Sequence, residues 1–357
     1  MAKPRIRALV LAAGEGTRLQ PLTSFLPKPL LPVAGRALVE HTLERLARAG
    51  CEAVAINLHH RGEQIRQHLG DSFAGMPIAY SEERDERLGT LGALYPLRDF
   101  LRQAEVVLLV NGDALCAWPF ARLLRRHRDG GAAATLLLAA RPDPARFGGG
   151  VAVDRQGRVI AFTAAEKPRG EVAARRVFAG AHALSPALLA RVGEGPADVV
   201  RQLYRPLLAD GARLRAVVTR RRWHDLGTPR RYLEGVLDWV RGPGPLAWMR
   251  RSWASPEARL AGDARLARAV VEAGATIGRG ARLTRSLVLP GASVGAGAEL
   301  EETIVGFGAT LPARARIARQ VVVVARKGVP AGEGDSRLEG HLYSRLDRVR
   351  RRENPGL

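Results

Sequence analysis

Residues 14–32 combine side chains that could bind a phosphate group. They read GEGTRLQPLTSFLPKPLLP and follow the short apolar run IRALVLAA. Gly14 and Gly16 allow a sharp turn whose backbone N–H groups can surround phosphate oxygens. Arg18 provides a permanently charged fork suited to phosphate, and Lys28, between two prolines, provides a compact ammonium whose direction is fixed. The stretch therefore predicts a loop that binds a polyphosphate ligand.

Lysine is rare in this chain, which makes its positions informative. The 357 residues include 56 Lys+Arg against 35 Asp+Glu, a net charge of +21, yet lysine occurs only at positions 3, 28, 167 and 327. This preference for arginine, with much Ala, Gly and Leu, is typical of a GC-rich coding bias, so the charge alone identifies no partner. Lys28 and Lys167 both fall in motif-like loops, which favours a specific need for an ammonium group there.

Composition and motifs exclude several classes of protein. The two cysteines, Cys51 and Cys116, lack the spacing of a disulfide framework or a zinc site. The N-terminal apolar run is too short for a signal peptide, and no segment reaches the 18 or more apolar residues of a membrane span. The basic charge would attract phosphorylated substrates, but no nucleic-acid recognition motif is present. We expect a cytoplasmic enzyme with no membrane and no nucleic-acid partner.

The first 240 residues alternate between strand and helix patterns. Continuous apolar runs predict strands over Ile6–Ala13, Glu52–Leu58 and Glu105–Asp113, and an amphipathic pattern predicts a helix over Ala37–Gly50. This order predicts an α/β fold with a mostly parallel, Rossmann-like sheet. The carboxyl ends of such strands share one edge, where ligands bind, so the glycines after Ala13 and the NGD of residues 111–113 should meet there.

A 17-residue repeat occupies the C-terminal third of the chain. Four blocks starting at residue 256 align without gaps, and three aliphatic columns run through them. Such spacing predicts a three-sided coil with one inward aliphatic residue per side. The columns are Leu260, Ile277, Val294 and Leu311; Leu266, Leu283, Leu300 and Ile317; and Val271, Val288, Val305 and Val322. The predicted organisation is a domain over 1–240, a Pro/Gly-rich linker over 241–254, the coils over 255–325 and a basic tail over 326–357, whose end we interpret as a solvated helix or a frayed terminus.

The stretch of residues 11–35 resembles the signature of sugar-1-phosphate nucleotidyltransferases, LAAGxGTRLxPLTxxxPKPLxPVxG. Further segments similar to that family follow in order: LGTLGA, LLVNGD, AEKP and WHDLGTPRRYL. The repeats resemble the hexapeptide left-handed β-helix that several bacterial members carry. The F-x-G form at residues 178–180 is closer to the mannose-1-phosphate guanylyltransferase-like and N-acetylmuramate-1-phosphate uridylyltransferase-like members than to the thymidylyltransferases, and the chain as a whole most resembles the mannose-1-phosphate guanylyltransferase-like members.

The resemblance implies a reaction and a set of site residues. A sugar 1-phosphate would attack the α-phosphorus of a nucleoside triphosphate (NTP) and release pyrophosphate, with Mg²⁺ as cofactor. The implied catalytic residues are Arg18, Lys28 and Lys167. The implied nucleotide-binding residues are Leu11, Ala12, Ala13, Gly14, Gly16, Thr17, Arg18, Lys28, Gly89, Thr90, Gly92 and Asp113. The implied sugar-binding residues are Asn111, Gly149, Glu166, Lys167 and Gly180, and we assign Mg²⁺ to Asp113 and Asp225, each beside a strand end and a glycine.

Several alternatives stay open. The sequence departs from the family pattern in VFAGAHALSP and in the three glycines 148–150, both on the sugar side, so the identity of the sugar stays open. The base is not revealed by the sequence either, and an N-acetylmuramate-1-phosphate uridylyltransferase-like or a glucose-1-phosphate enzyme is an alternative. Asp113 could cap a turn, Asp225 could cap the following helix, and Glu166 could pair with an arginine.

Two other functions compete with nucleotidyl transfer. A regulatory or scaffold subunit of this fold would typically lose the arginine, lysine or aspartates that this chain keeps. A hexapeptide acyltransferase would need a histidine beside the coils, and residues 255–325 contain none. We expect the β-helix to mediate homo-oligomerisation.

Overall fold

The chain forms two compact units. The structure, a computed structural model, describes residues 4–241, 252–332 and 334–347. Of these, residues 4–14 and 39–223 form the first unit, here called the sheet unit, and residues 15–38, 224–241, 252–332 and 334–347 belong to the second, the β-helix unit. The loop that carries Arg18 and Lys28 is part of the β-helix unit.

Three parallel strands form the centre of the sheet unit. Ile6–Leu11 lies between Ala53–Leu58 and Val106–Asn111 and pairs with both. Residues 8–10 are completely buried, as an apolar run covered on both faces requires. The three strands predicted from the sequence are therefore confirmed.

The sheet continues on both sides of these strands and becomes mixed. Met76–Glu82 extends the parallel part beside Ala53–Leu58. On the other side Ala174–Leu184 runs antiparallel to Val106–Asn111 and also to Ala134–Ala139, which pairs in parallel with Leu214–Thr219. The remaining strands of this unit are Ser72–Phe73, Ala114–Cys116, Val151–Val153 and Val159–Ala161.

The helices of the first 240 residues are short. The predicted helix is present as Leu38–Arg48, with Val39, Leu43 and Leu46 buried. Every helix in the described part of the chain is too short or too polar to span a lipid bilayer. The other α-helices are Gly62–Leu69, Gly89–Gly92, Arg98–Leu101, Phe120–Arg128, Arg205–Ala209 and Pro229–Trp239.

The 17-residue repeat folds into three stacked parallel sheets, which confirms the β-helix. Each strand pairs with the strand 17 residues further on, and the three predicted columns lie in register, for example Val271 opposite Val288 and Val305 opposite Val322. Most column residues are buried, whereas Leu260 on the first coil is 39% exposed. The strands are Trp253–Ala254, Val270–Val271, Leu287–Val288, Ile304–Val305 and Gln320–Val324 on one side; Arg259–Leu260, Thr276–Ile277, Ser293–Val294 and Thr310–Leu311 on the second; and Arg265–Ala267, Arg282–Thr284, Glu299–Glu301 and Arg316–Ala318 on the third.

Strands at both ends extend the β-helix beyond the four repeat blocks. Trp253–Ala254 already pairs with Val270–Val271, so coil structure begins inside the predicted linker, of which residues 242–251 lie outside the described residues. At the other end His341–Arg345 forms a strand antiparallel to Gln320–Val324. In this part of the predicted tail Leu342 and Ser344 alternate inward and are buried, as in a strand with one covered face. Ser336–Leu338 adds a further antiparallel strand, and residues 348–357 lie outside the described residues.

Candidate functional site

The carboxyl ends of the three central strands are level with each other. Leu11 is the register partner of Asn57 on one side and of Asn111 on the other. The N–H of Gly112 donates to the Leu11 carbonyl at 2.9 Å, and a Cβ at position 112 would lie 2.8 Å from that oxygen. The structure therefore brings the start of the first loop and the NGD turn to one edge, as the sequence predicts.

A buried polar network supports this edge. Asn57 accepts a hydrogen bond from the Ala12 N–H at 2.8 Å and donates to Glu83 at 2.7 Å. The second oxygen of Glu83 accepts from the Leu88 N–H at 2.8 Å, just before Gly89. Both side chains are buried. The sequence analysis did not identify Asn57 or Glu83 as part of the site. The one available signal was Asn57 itself, a single amide in the otherwise apolar strand AVAINL.

The turn that contains Gly89, Thr90 and Gly92 packs against the segment 195–198. Cβ atoms at Gly89 and Gly92 would lie 2.7 and 2.3 Å from carbonyl oxygens of that segment. The hydroxyl of Thr90 donates to Asp198 at 3.2 Å. Backbone packing is thus sufficient to explain both glycines, and their predicted contact with base and ribose stays a prediction.

Asn111 and Gly180, both predicted to bind the sugar, are neighbours. A Cβ at Gly180 would lie 3.2 Å from the Asn111 Cβ. The adjacent Ala179 carbonyl accepts a 2.7 Å hydrogen bond from the indole of Trp223, against which the ring of Phe147 packs edge-on at 5.4 Å. Aromatic packing therefore fixes the backbone beside this pair.

Gly149 and Glu166 lie in adjoining loops, and the Glu166 carboxylate has local partners. A Cβ at Gly149 would lie 2.3 Å from the Cβ of Ala164, so the two loops are in contact. One oxygen of Glu166 accepts from the Phe162 N–H at 2.8 Å, and the other accepts from Arg205 at 2.6 Å. The structure thus contains the arginine pairing that the sequence left open.

These partners keep Glu166 ionised. Burial raises the pKa of its carboxyl, but the hydrogen bonds from Phe162, Arg205 and Thr163 and the Arg205 charge outweigh burial, so the pKa lies below its usual value. Lys167, the next residue, is exposed to solvent. The predicted role of both residues at the sugar phosphate stays a prediction.

In the β-helix unit, Gly16 lies against Lys28. The hydroxyl of Thr23 donates to the Gly16 carbonyl at 2.9 Å. A Cβ at Gly16 would lie 2.9 Å from the Thr23 methyl and 3.4 Å from the Lys28 Cβ. Lys28 is 6% exposed, so it is not an ordinary solvated cation. The loop is shaped by short 3₁₀ turns at Thr17–Leu19, Leu22–Ser24 and Lys28–Leu30.

Arg18 and Asp225 meet at Gly227. A Cβ at Gly227 would lie 2.8 Å from Asp225 Oδ1 and 3.3 Å from an Arg18 guanidinium nitrogen. Asp225 also accepts a hydrogen bond from Arg231 through Oδ2. The following helix is capped by Thr228, whose hydroxyl accepts from the Arg231 N–H. Asp225 is therefore not the helix cap, which removes one of the alternatives for this residue.

Two carboxylates, those of Asp113 and Asp225, are assigned to Mg²⁺. Asp113 belongs to the sheet unit and Asp225 to the β-helix unit. Among the described residues, no group of three or more Asp, Glu, His or Cys side chains could hold a metal ion. Mg²⁺ commonly uses one or two protein carboxylates and completes its shell with water and phosphate oxygens, so an aspartate is a suitable donor for an ion that arrives with a triphosphate. The assignment of the ion to Asp113 and Asp225 stays a prediction.

The two cysteines are packing residues. Cys51 and Cys116 are unpaired and buried, and burial raises the pKa of each thiol to about 12. A thiol with so high a pKa supplies almost no thiolate at neutral pH.

Comparison with known proteins gives consistent similarities. Residues 7–240 match the family model described as nucleotidyl transferase. Mannose-1-phosphate guanylyltransferase of Mycobacterium tuberculosis is 35% identical over 254 residues, which is 70% of this chain and 69% of the relative. The mannose-1-phosphate guanylyltransferase catalytic subunit beta of Dictyostelium discoideum is 31% identical over 233 residues, 65% of this chain and 64% of the relative. The matches thus span about two thirds of each relative's length.

A solved structure shares the fold. HddC from Yersinia pseudotuberculosis, crystallised in complex with GMP-PN, aligns with a TM-score of 0.54 and 21% sequence identity. The alignment covers 65% of this chain and 99% of HddC. At this level of identity the match supports the fold of the N-terminal part alone.

Proposed function

Since the chain belongs to the nucleotidyl transferase family, whose model it matches over residues 7–240, we propose that it transfers a nucleoside monophosphate from an NTP to a sugar 1-phosphate. In this reaction a phosphate oxygen of the sugar 1-phosphate forms a bond to the α-phosphorus. The bond between that phosphorus and the oxygen leading to the β-phosphorus breaks, and pyrophosphate leaves. The nucleophile is already an anion, so the enzyme needs no general base, and catalysis consists of positioning and charge neutralisation.

The basic side chains have distinct proposed roles. Arg18 binds the triphosphate and the leaving pyrophosphate through its planar fork, and Lys28 neutralises charge at the α-phosphate. Lys167 holds the phosphate of the sugar. The burial of Lys28 supports its role, because an ammonium group in a poorly solvated position interacts more strongly with a nearby anion than a surface lysine does.

The remaining assigned residues serve the two substrates. The strand end Leu11, Ala12 and Ala13 with the loop residues Gly14, Gly16 and Thr17 contacts the nucleotide, as do Gly89, Thr90 and Gly92. Asn111, Gly149, Glu166 and Gly180 contact the sugar. The juxtaposition of Asn111 and Gly180 supports this assignment. Asp113 and Asp225 would hold Mg²⁺, which supplies positive charge to the triphosphate when bound.

The observation that carries the proposal is the family match together with the retention of Arg18, Lys28, Asp113 and Asp225. A scaffold subunit would have no need of these four charged residues. The approach of Arg18 and Asp225 to the same residue, Gly227, supports the same conclusion.

GTP and mannose 1-phosphate are the first substrates to test, because the relatives named above are mannose-1-phosphate guanylyltransferases. The experiment is a matrix of GTP, UTP, ATP, CTP and dTTP against mannose, glucose and N-acetylmuramate 1-phosphates. Pyrophosphate release and the product mass are measured for each pair. Turnover confined to GTP with mannose 1-phosphate is expected. Turnover with another pair would reassign the substrates, and no turnover with any pair would favour a regulatory subunit.

We further propose that the β-helix mediates homo-oligomerisation and that the reaction takes place in the cytoplasm. The stacked coils support the first proposal, because each sheet of parallel strands has an outer face on which a second copy could pack. Light scattering of the full chain and of a variant with charges introduced on one β-helix face would test it.

A further inference from the structure

The loop that carries Lys28 ends in a strained hairpin. Pro32–Val33 and Arg36–Ala37 pair antiparallel and are joined by Ala34 and Gly35. Both connecting residues have positive φ, 52° for Ala34 and 81° for Gly35, as in a type I′ turn. Such a φ costs a residue with a Cβ roughly 1 kcal/mol or more, so Ala34 needs support from elsewhere.

Glu272 of the β-helix provides this support. One carboxylate oxygen accepts from the Ala34 N–H at 2.9 Å, and the other accepts from the Gly35 N–H at 2.8 Å. The Glu272 side chain is 1% exposed. No lysine or arginine lies within ion-pair distance of it in the described part of the chain. The two backbone N–H groups of the hairpin are thus the partners of this buried carboxylate.

The repeat makes Glu272 stand out. It ends the first 17-residue block, and the equivalent positions of the next three blocks are Leu289, Gly306 and Val323. Leu289 and Val323 are completely buried. Burial removes the carboxylate of Glu272 from water at a cost in solvation free energy that an aliphatic residue at this position would not have. Stacking of the coils therefore does not explain the glutamate, whereas a hydrogen-bonded contact with a segment outside the coils does.

Further contacts hold the hairpin. The hydroxyl of Tyr232 donates to the Pro32 carbonyl at 2.5 Å, and Tyr232 is completely buried. The ring of Trp253 lies against Gly35, where a Cβ would be 3.0 Å away. Residues after Lys28 are therefore tied to helix Pro229–Trp239 and to the first coil.

The loop is also held before Lys28. Arg326 donates to the Ser24 carbonyl at 3.2 Å, and its guanidinium lies 4.1 Å from the ring centre of Phe25. Phe25 in turn stacks on Phe307 of the fourth block at 5.9 Å. Helix Pro229–Trp239, the coils and Arg326 thus hold the chain on both sides of Lys28, three and four residues before it and four or more after it.

We propose that Glu272 is a positioning residue for Lys28: by holding the hairpin at Ala34 and Gly35, it makes the β-helix part of the machinery that orients the loop for catalysis. This inference rests on the proposed function for its catalytic half. Glu272 touches no substrate and acts through the backbone of the hairpin. Misplacement of a catalytic group by about 1 Å is enough to lower a rate strongly, so the support has a measurable effect.

The test compares Glu272→Ala, Glu272→Gln and the control Glu301→Ala in the full-length protein. Glu301 is a carboxylate on the same β-helix, but it is exposed. Hydrogen–deuterium exchange is measured at residues 34–35 and at the coil strands Leu287–Val288 and Ile304–Val305. The kcat and KM are measured with the substrate pair identified above. The exchange readout needs no activity.

In Glu272→Ala we expect exchange at residues 34–35 to accelerate about tenfold or more, with unchanged protection of the coil strands. We expect kcat to fall about tenfold or more and KM for the NTP to change less. Glu272→Gln, which keeps one acceptor, should recover part of the loss, and Glu301→Ala should match the wild type.

Other outcomes overturn one claim or the other. Unchanged exchange at residues 34–35, or accelerated exchange with kcat within twofold of the wild type, would overturn the positioning role. An equal fall in kcat in Glu301→Ala would show that any change in the β-helix lowers activity, and this result would also overturn the positioning role of Glu272. Wild-type protein without turnover, but with accelerated exchange in Glu272→Ala, would overturn the proposed function while supporting the contact that holds the hairpin.

Discussion

Arg231 donates a hydrogen bond to the carboxylate of Asp225, which ties the turn before helix Pro229–Trp239 to the first turn of that helix. Arg231 contacts the Oδ2 atom of Asp225, whereas the Oδ1 atom of Asp225 faces Gly227. Arg18 approaches the same glycine from its own loop. The small size of residue 227 therefore determines whether these two charged groups can keep their positions.

Gly227→Ala should lower activity without unfolding the protein. The added Cβ would lie 2.8 Å from Asp225 Oδ1 and 3.3 Å from the Arg18 guanidinium, so at least one of the two must move. We expect kcat/KM to fall about tenfold or more, with a melting temperature within a few degrees of the wild type. The control is Gly193→Ala, where a Cβ meets nothing within 4 Å. Wild-type kcat/KM in Gly227→Ala would show that the positions of Arg18 and Asp225 do not matter for turnover.

Removing the charge of Lys28 should abolish most of the activity. Lys28→Met keeps the apolar stem and deletes the ammonium, and Lys28→Ala deletes both. Loss of a preorganised charge at the reacting phosphate should lower kcat about 100- to 1,000-fold. Lys327→Ala removes an exposed lysine and is the matched control. Circular dichroism and thermal melting check the fold, and normal kcat in both Lys28 variants would refute the assigned role.

Activity should require a divalent metal ion held by Asp113 and Asp225. Treatment with EDTA should abolish turnover, and Mg²⁺ should restore it. Asp113→Asn and Asp225→Asn should raise the Mg²⁺ concentration for half-maximal activity about tenfold or more. Asp263→Asn, in an exposed turn of the first coil, is the control. Metal dependence identical to that of the wild type in both variants would place the ion elsewhere.

The sequence predicts what local pattern and repetition encode. Continuous apolar runs located the three central strands, and the edge shared by Leu11 and Asn111 follows from parallel pairing. The 17-residue period located the inward columns of the β-helix, because each coil repeats the same packing. Both features are encoded in local sequence, one as a continuous apolar run and the other as a repeat, so they can be predicted without knowledge of tertiary contacts.

Contacts between distant positions could not be predicted in the same way. Glu272 holds residues about 238 positions earlier in the chain, and the repeat reports only residues that point into the coil. Asn57 and Glu83 satisfy backbone groups whose positions appear only in the folded sheet. The strand His341–Arg345 was hidden by its basic composition, although Leu342 and Ser344 have the alternation of a strand.

The stability of the protein should depend on the titration of Glu272. Burial raises the pKa of its carboxyl from 4.5 to about 7, and the N–H groups of Gly35 and Ala34 offset burial only in part. The folded state binds the proton of Glu272 more tightly than the unfolded state does. The stability that this protonation contributes is therefore complete below pH 4.5 and is lost as the pH rises through about 7. The difference amounts to roughly 3 kcal/mol. Tyr232, which also faces Glu272, stays neutral throughout, since burial raises its pKa.

Urea unfolding between pH 4.5 and 8 checks this prediction. The free energy of unfolding of Glu272→Gln, relative to the wild type, should rise across this range by up to that amount. Asp154 and Glu166 have lowered pKa values and act in the opposite direction, but they are common to both proteins and cancel in the difference. If the free energy of unfolding changes with pH in the same way in both proteins, Glu272 has an ordinary pKa in the folded state.

The strain at Ala34 gives a final prediction about the same contact. Ala34→Gly removes the cost of positive φ, and Ala74→Gly is a matched control, because Ala74 and Gly75 form a second Ala-Gly hairpin, with φ of 49° and 77°, in the sheet unit. Each substitution should stabilise the protein by up to about 1 kcal/mol. In the Glu272→Ala background, Ala34→Gly should also restore part of the lost kcat, because glycine holds the turn without help. Ala74→Gly should restore none, and equal recovery from both would show that the loss in Glu272→Ala does not arise at the hairpin.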